Sequence, residues 1–171
     1  MRLFVAVWPD QAAQAALARL PQVADAPVRW SRPEQWHVTL AFLGAVDPDR
    51  VPQVILAMEG LGGMDPAPAR LGPTTVLLTP ELLCAPVHGL DQLSTRVRAL
   101  LAADGVAFDR RPFRGHCTLA RARRGALVPP VLAGAPVRAW WTVRRVDVVA
   151  SEAGAGGTGY RVLAQTVLDG P

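Results

Sequence analysis

Two strings in this chain combine residues that can move protons with residues that can hold anions. They are His37-Val38-Thr39-Leu40 and His116-Cys117-Thr118-Leu119. The chain has three histidines, and two of them open this same His-x-Thr-Leu pattern. Both strings lie in apolar stretches that read as β-strands. Alternate residues of a strand face one side. Each His should therefore project with its Thr, while Val38 and Cys117 turn away. Imidazole titrates near neutral pH. A neutral ring can deprotonate water while a protonated one donates to a leaving oxygen, each role contributing roughly 10²- to 10⁴-fold. The hydroxyls can donate to phosphate oxygens, and Arg121 can offset charge developing in the transition state. No metal is needed for this chemistry. One His-x-Thr alone would read as a structural histidine in a sheet; two copies at matched places point to catalysis.

The elements that must position these residues are legible as a series. Leu3 to Trp8 reads as a buried strand. Asp10 caps a helix running to Leu20, and Val28 to Trp30 is a short extended piece. Trp36 to Leu43 is the first motif strand, closed by Gly44. Asp47-Pro48-Asp49 caps a second helix to Glu59, and Gly60 to Pro68 reads as loop. Thr74 to Leu78 and Leu82 to Val87 read as strands. Leu90 to Ala103 has helical spacing of apolar residues, and Phe113 to Ala120 is the second motif strand. Val137 to Ser151 and Tyr160 to Leu168 read as long strands around a Gly-rich turn, Gly154 to Gly159.

An internal repeat emerges from this series. Each half has an apolar strand, a helix and a His-x-Thr strand. Phe4 to His37 and Leu83 to His116 are both 33 positions. Such a repeat predicts two lobes related by an approximate two-fold axis. The motif strands would then face each other across a cleft, although 79 positions separate their histidines.

Composition sets the outer bounds. The 171 residues suffice for one domain with a sizeable core, or for two small lobes sharing one. No apolar run is long enough for a transmembrane helix. Asp10 interrupts the apolar N-terminal run too early for a signal peptide. A soluble cytoplasmic protein is the expectation. Cys84 and Cys117 read as buried free thiols. Net charge is +4, and every basic side chain is Arg. Arg110, Arg111, Arg114, Arg121, Arg123 and Arg124 surround the second motif. They form either a solvated basic loop or a surface that attracts phosphate.

The residues also carry a family resemblance. Arg2 to Val7, Val28-Arg29-Trp30, Pro33 to Gly44 and Pro112 to Arg121 together resemble the 2H phosphoesterase superfamily. The resemblance is strongest to its bacterial RNA 2′,3′-cyclic phosphodiesterases, also called 2′-5′ RNA ligase-like proteins. It implies a bilobal α+β fold: duplicated antiparallel sheets with outer helices around a central cleft, in a single domain over 1–171. It implies His37 and His116 as the catalytic pair, with Thr39, Thr118 and Arg121 holding phosphate. The implied reaction opens a 2′,3′-cyclic phosphate on RNA ends or nucleotides to a 2′-phosphomonoester. His116 would activate water and His37 would protonate the departing 3′-oxygen. The near symmetry of the motifs leaves that division open.

Other readings attach to single residues. Strict alternation from His116 turns Arg121 away from the cleft unless the strand ends or twists near Ala120. Trp36 should pack in the core. Gly115, where the family commonly has Pro, should loosen the strand entry. Trp30 and Tyr160 are the aromatic candidates for stacking on a base, with Trp8, Trp140 and Trp141 read mainly as core. His88 reads as a surface residue, although a three-histidine zinc site would need it in the cleft. Two rival functions remain: 2′-5′ RNA ligation at the same site, and a non-catalytic RNA-binding module. No cofactor and no obligate protein partner are expected, so the protein should be a monomer.

Overall fold

Apolar residues alternating along short segments build most of this molecule as antiparallel sheet. The computed structural model describes residues 1–154 and 157–170. Its strands are β1 (Arg2–Val7), β2 (Val28–Trp30), β3 (Val38–Ala45), β4 (Ala67–Leu71), β5 (Val76–Thr79), β6 (Leu82–His88), β7 (His116–Ala122), β8 (Ala139–Val143), β9 (Arg145–Gly154) and β10 (Gly157–Val167). Its helices are α1 (Gln11–Ala18), α2 (Val51–Glu59) and α3 (Asp91–Ala103). Asp10 caps α1 by accepting from the Ala13 amide at 2.8 Å, as its sequence position predicts. Among the described residues no helix is long and apolar enough to cross a membrane.

The strands run in the order β10-β9-β1-β3-β7-β6-β4-β8, with β2 beside β7 and β5 beside β6. This order is symmetric about its centre: β3 matches β7, and β1 matches β6. The expected α+β architecture with pseudo-two-fold halves is therefore present. The two motif strands, expected to face each other across a cleft, are instead direct neighbours in the sheet, joined through the single pair Val38↔Cys117. Both residues are fully buried, as the alternation argument requires. Leu3, Val5, Val7, Val38 and Leu40 are also inaccessible to solvent; burying each such side chain contributes roughly 1.5–3 kcal/mol. The helices bind the halves together. α1 follows β1 yet packs on β8, and α3 follows β6 yet packs on β3.

Several elements differ from expectation. The loop over Gly60–Pro68 ends early, because Ala67 begins β4. Pro68 pairs only toward β8, since the contact with β6 involves Arg70 and Leu71. The missing amide of Pro68 is thus tolerated, and a proline that argues against a strand does not prevent one. The single strand expected over Val137–Ser151 is two. β8 pairs with β4 and β9 with β1, and the exposed neighbours Arg144 and Arg145 break the alternation between them. Of the Gly-rich turn over Gly154–Gly159, residues 155 and 156 lie outside the described residues.

Gly115 does not loosen its strand. The Val87 amide donates to the Gly115 carbonyl at 2.8 Å, and a Cβ at Gly115 would collide with the Val87 carbonyl. Glycine lets β7 start pressed against β6. The register also shifts the equal spacing of the repeat. Val5 lies opposite Ala41 and Leu83 opposite Ala120, so Leu83 corresponds to Val5 rather than Phe4.

Candidate active site

Each motif strand bulges at the same place. Ala6 pairs with Thr39 and Val5 with Ala41, so Leu40 is an extra residue in β3. Cys84 pairs with Thr118 and Leu83 with Ala120, so Leu119 is an extra residue in β7. A bulge takes a residue out of the ladder and re-aims the side chains beyond it. Groups from outside the ladder satisfy the carbonyls of both extra residues. Leu40 O accepts from Ser94 Oγ at 2.9 Å and Arg98 Nε at 3.2 Å. Leu119 O accepts from the Ser31 amide at 2.8 Å.

The bulge at Leu119 resolves the orientation of Arg121. Leu119 and Ala120 are both buried in succession, and Arg121 is exposed. The alternation is reset, and Arg121 returns to the side of His116 and Thr118. Phe42 holds the matching place in β3, with the Arg2 guanidinium 5.5 Å from its ring centre.

His37, Thr39, His116, Thr118 and Arg121 all line one open cavity of about 940 Å³. Trp30 and Tyr160 line it too, as do Arg2, Arg29, Arg32, Arg123 and Arg124. The two imidazoles are held alike. His37 Nδ1 lies 2.7 Å from the Gln35 carbonyl, and His116 Nδ1 lies 2.6 Å from the Arg114 carbonyl. A carbonyl only accepts, so each Nδ1 carries the proton and donates it. The Nε2 atoms are left to face a ligand.

The histidines differ in their surroundings. Phe4 stacks on His37 with ring centres 4.8 Å apart, Tyr160 meets it edge-on at 5.0 Å, and Trp8 is tilted against it at 5.4 Å. Trp8 is itself held by its indole N–H, which donates to buried Asp147 at 2.7 Å. Burial in this cage pushes the His37 pKa down to about 4, against the opposing pull of the Gln35 carbonyl; the charges of His116 and Arg121 lower it further. The His116 pKa is also lowered, first by burial and then by Arg121, while the Arg114 carbonyl opposes the shift. Both rings are therefore neutral in the free protein at pH 7. Burial raises the Tyr160 pKa, with Arg121 opposing.

The caged His37 makes stability depend on pH. Its folded pKa lies below its unfolded value, so the unfolded chain takes up the proton first. Stability should fall as pH drops from about 6.5 toward 4, by up to about 3 kcal/mol from this group. Urea unfolding at pH 7 and pH 4.5 should show a smaller acid loss in His37→Gln than in the native sequence. Equal losses would mean that the cage does not disfavour the imidazolium.

The remaining candidates separate. Arg123 and Arg124 reach the cavity, whereas Arg111 pairs with Asp109 and Arg110 lies 5.3 Å over the Phe108 ring. Trp30 packs partly against the core and directs its indole N–H toward the Val23 carbonyl at 3.4 Å. Trp36 and Trp141 are buried, whereas Trp140 is exposed. His88 ends β6 with Nε2 3.1 Å from the Gly72 carbonyl, and it does not line this cavity. Cys84 and Cys117 are free and buried, and burial raises both thiol pKa values. The sequence reading missed Phe4 and undervalued Trp8 as neighbours of His37. The available signal was period two: Phe4, Ala6 and Trp8 alternate along one strand face. Arg29, within the Val28-Arg29-Trp30 stretch, also lines the cavity.

Known proteins resemble this chain in sequence and in fold. Residues 7–73 match the family model described as LigT like Phosphoesterase. Over 99% of its length the chain is 34% identical to an RNA 2′,3′-cyclic phosphodiesterase of Thermus thermophilus, covering 91% of that protein. The crystal structure of a Thermus thermophilus protein superposes with a TM-score of 0.84 at 28% identity, covering 99% of both chains. E. coli LigT complexed with 3′-AMP superposes with a TM-score of 0.76 at 25% identity, covering 98% of both chains. The chain belongs to the LigT-like phosphoesterase family.

Proposed function

We propose that this protein hydrolyses 2′,3′-cyclic phosphates on RNA ends or nucleotides to 2′-phosphomonoesters, using His37 and His116 as an acid–base pair. The observation that carries this reading is the matched presentation of two imidazoles. Each is pinned through Nδ1 to the carbonyl two residues back, beside a Thr hydroxyl, in one cavity with Arg121. Water attacks phosphorus as His116 Nε2 takes its proton. The bond from phosphorus to O3′ breaks as His37 Nε2 delivers a proton to O3′. Thr39, Thr118 and Arg121 hold the phosphate oxygens and offset their growing charge.

The similarity to a phosphodiesterase of this specificity supports the substrate, and the resemblance supports the division of roles. The cage adds a condition. His37 must gain a proton as substrate arrives, and the negative charge of the phosphate supplies the compensation that burial removes. Tyr160, next to His37, and Trp30 at the rim are the aromatic surfaces proposed to stack on the base.

The test is incubation with a nucleoside 2′,3′-cyclic phosphate in the presence of a strong chelator, with phosphorus NMR to identify the product. The expected product is the 2′-phosphate, formed at an undiminished rate. A 3′-phosphate product would reverse the polarity of the proposed cleavage, and no product would refute the reading. Thr39→Ala and Thr118→Ala should each lower kcat/KM by about 10²-fold, the loss typical of one preorganised donor.

A further inference from the structure

We propose that Arg29 forms, beside Arg121, a second phosphate subsite that binds the phosphodiester on the 5′ side of the terminal nucleotide. The site would then favour an RNA chain over a lone nucleotide. This rests on the phosphodiesterase reading above.

β2 is three residues long and pairs with β7, placing Arg29 directly opposite Arg121. Residues directly opposite in a sheet share a face, so the two guanidinium groups project together. Both line the catalytic cavity. Like charges in this relation destabilise a sheet. Among the described residues neither group makes a hydrogen bond or an ion pair, whereas Arg32, Arg111, Arg145 and Arg161 each face a carboxylate. The pair is thus a cationic surface kept without internal compensation. That arrangement suits anions supplied from outside.

The count of charges then identifies the ligand. A 2′,3′-cyclic phosphate carries one negative charge, and Arg121 with two Thr hydroxyls can serve it. Arg29 is left over, one strand spacing or about 4.8 Å to the side. In an RNA chain the next anion is the phosphodiester at the 5′ position of the same nucleoside. A nucleoside cyclic phosphate with a free 5′-hydroxyl lacks it. Arg124, also in the cavity and without a carboxylate partner among the described residues, lies three residues beyond Arg121 and extends the cationic surface.

Binding separates this proposal from turnover. The probes are a nucleoside 2′-monophosphate and a dinucleotide ending in the same 2′-phosphate, titrated calorimetrically into the native protein and Arg29→Gln. The native protein should bind the dinucleotide about tenfold more tightly, with a salt dependence steeper by about 0.7 in log–log slope for the extra phosphate. Arg29→Gln should remove most of that advantage and the extra slope. Equal weakening of both probes would place Arg29 on the terminal phosphate and overturn the proposal. An unchanged advantage would overturn it as well. Failure of cyclic-phosphate turnover with the dinucleotide advantage intact would sink the proposed reaction and leave this subsite standing.

Discussion

Alanine at His37 or His116 should lower kcat for a nucleoside 2′,3′-cyclic phosphate by about 10³- to 10⁴-fold, and replacing both should cost little more. The reason is the shared transition state. Water cannot attack efficiently without a base, and O3′ is a poor leaving group until it is protonated. Two groups that act in one step give strongly non-additive losses. Steady-state kinetics on the two single variants and the double variant would measure this. Residual turnover above a tenth in either single variant would remove that histidine from the mechanism.

The same pair should give a bell-shaped pH dependence whose limbs belong to the coupled pair. The kcat/KM profile reports the free protein, in which both imidazole pKa values are lowered. Its alkaline limb should therefore lie below about 6.5, the ordinary imidazole value. The kcat profile reports the complex, in which phosphate favours an imidazolium, so its alkaline limb should move upward. A flat profile from about pH 5 to 9 would contradict two histidines sharing acid and base roles.

Arg121→Gln should cost about 10²- to 10³-fold in kcat/KM, as expected for losing a charged group aimed at developing oxyanion charge. Arg121→Lys should recover part of this, because the charge returns without the bidentate fork. A second readout is independent of catalysis. Arg121 helps to lower the pKa of both histidines, so its removal should raise both, as seen by NMR titration of the rings. Unshifted rings would place the guanidinium farther from the pair than the bulged strand puts it.

Arg121 also shows where sequence reasoning runs out. Counting by twos from His116 turns it away from the cleft, and the count fails at Leu119. A bulge depends on partners distant in the chain: β6 sets the register, and the Ser31 amide takes the freed carbonyl. At Leu40 the partners are Ser94 and Arg98 on α3, 54 and 58 positions away. No local pattern encodes these contacts. The break between β8 and β9 has the same origin, since two different neighbours compete for one apolar run.

The sequence by itself determined the candidate site residues and how each His is matched with its Thr. The repeated His-x-Thr-Leu, the inward Val38 and Cys117, the capping Asp10 and the strand–helix–strand repeat follow from local periodicity and short-range hydrogen bonding. Tertiary structure decided what depends on long-range neighbours. It set the direct contact of the motif strands, turned Arg121 back toward the histidines, enclosed His37 in aromatic rings and set Arg29 opposite Arg121. The physical reason is range. Strand alternation is a property of adjacent residues, whereas register, burial and the field at a titrating group are set by side chains that only folding brings together.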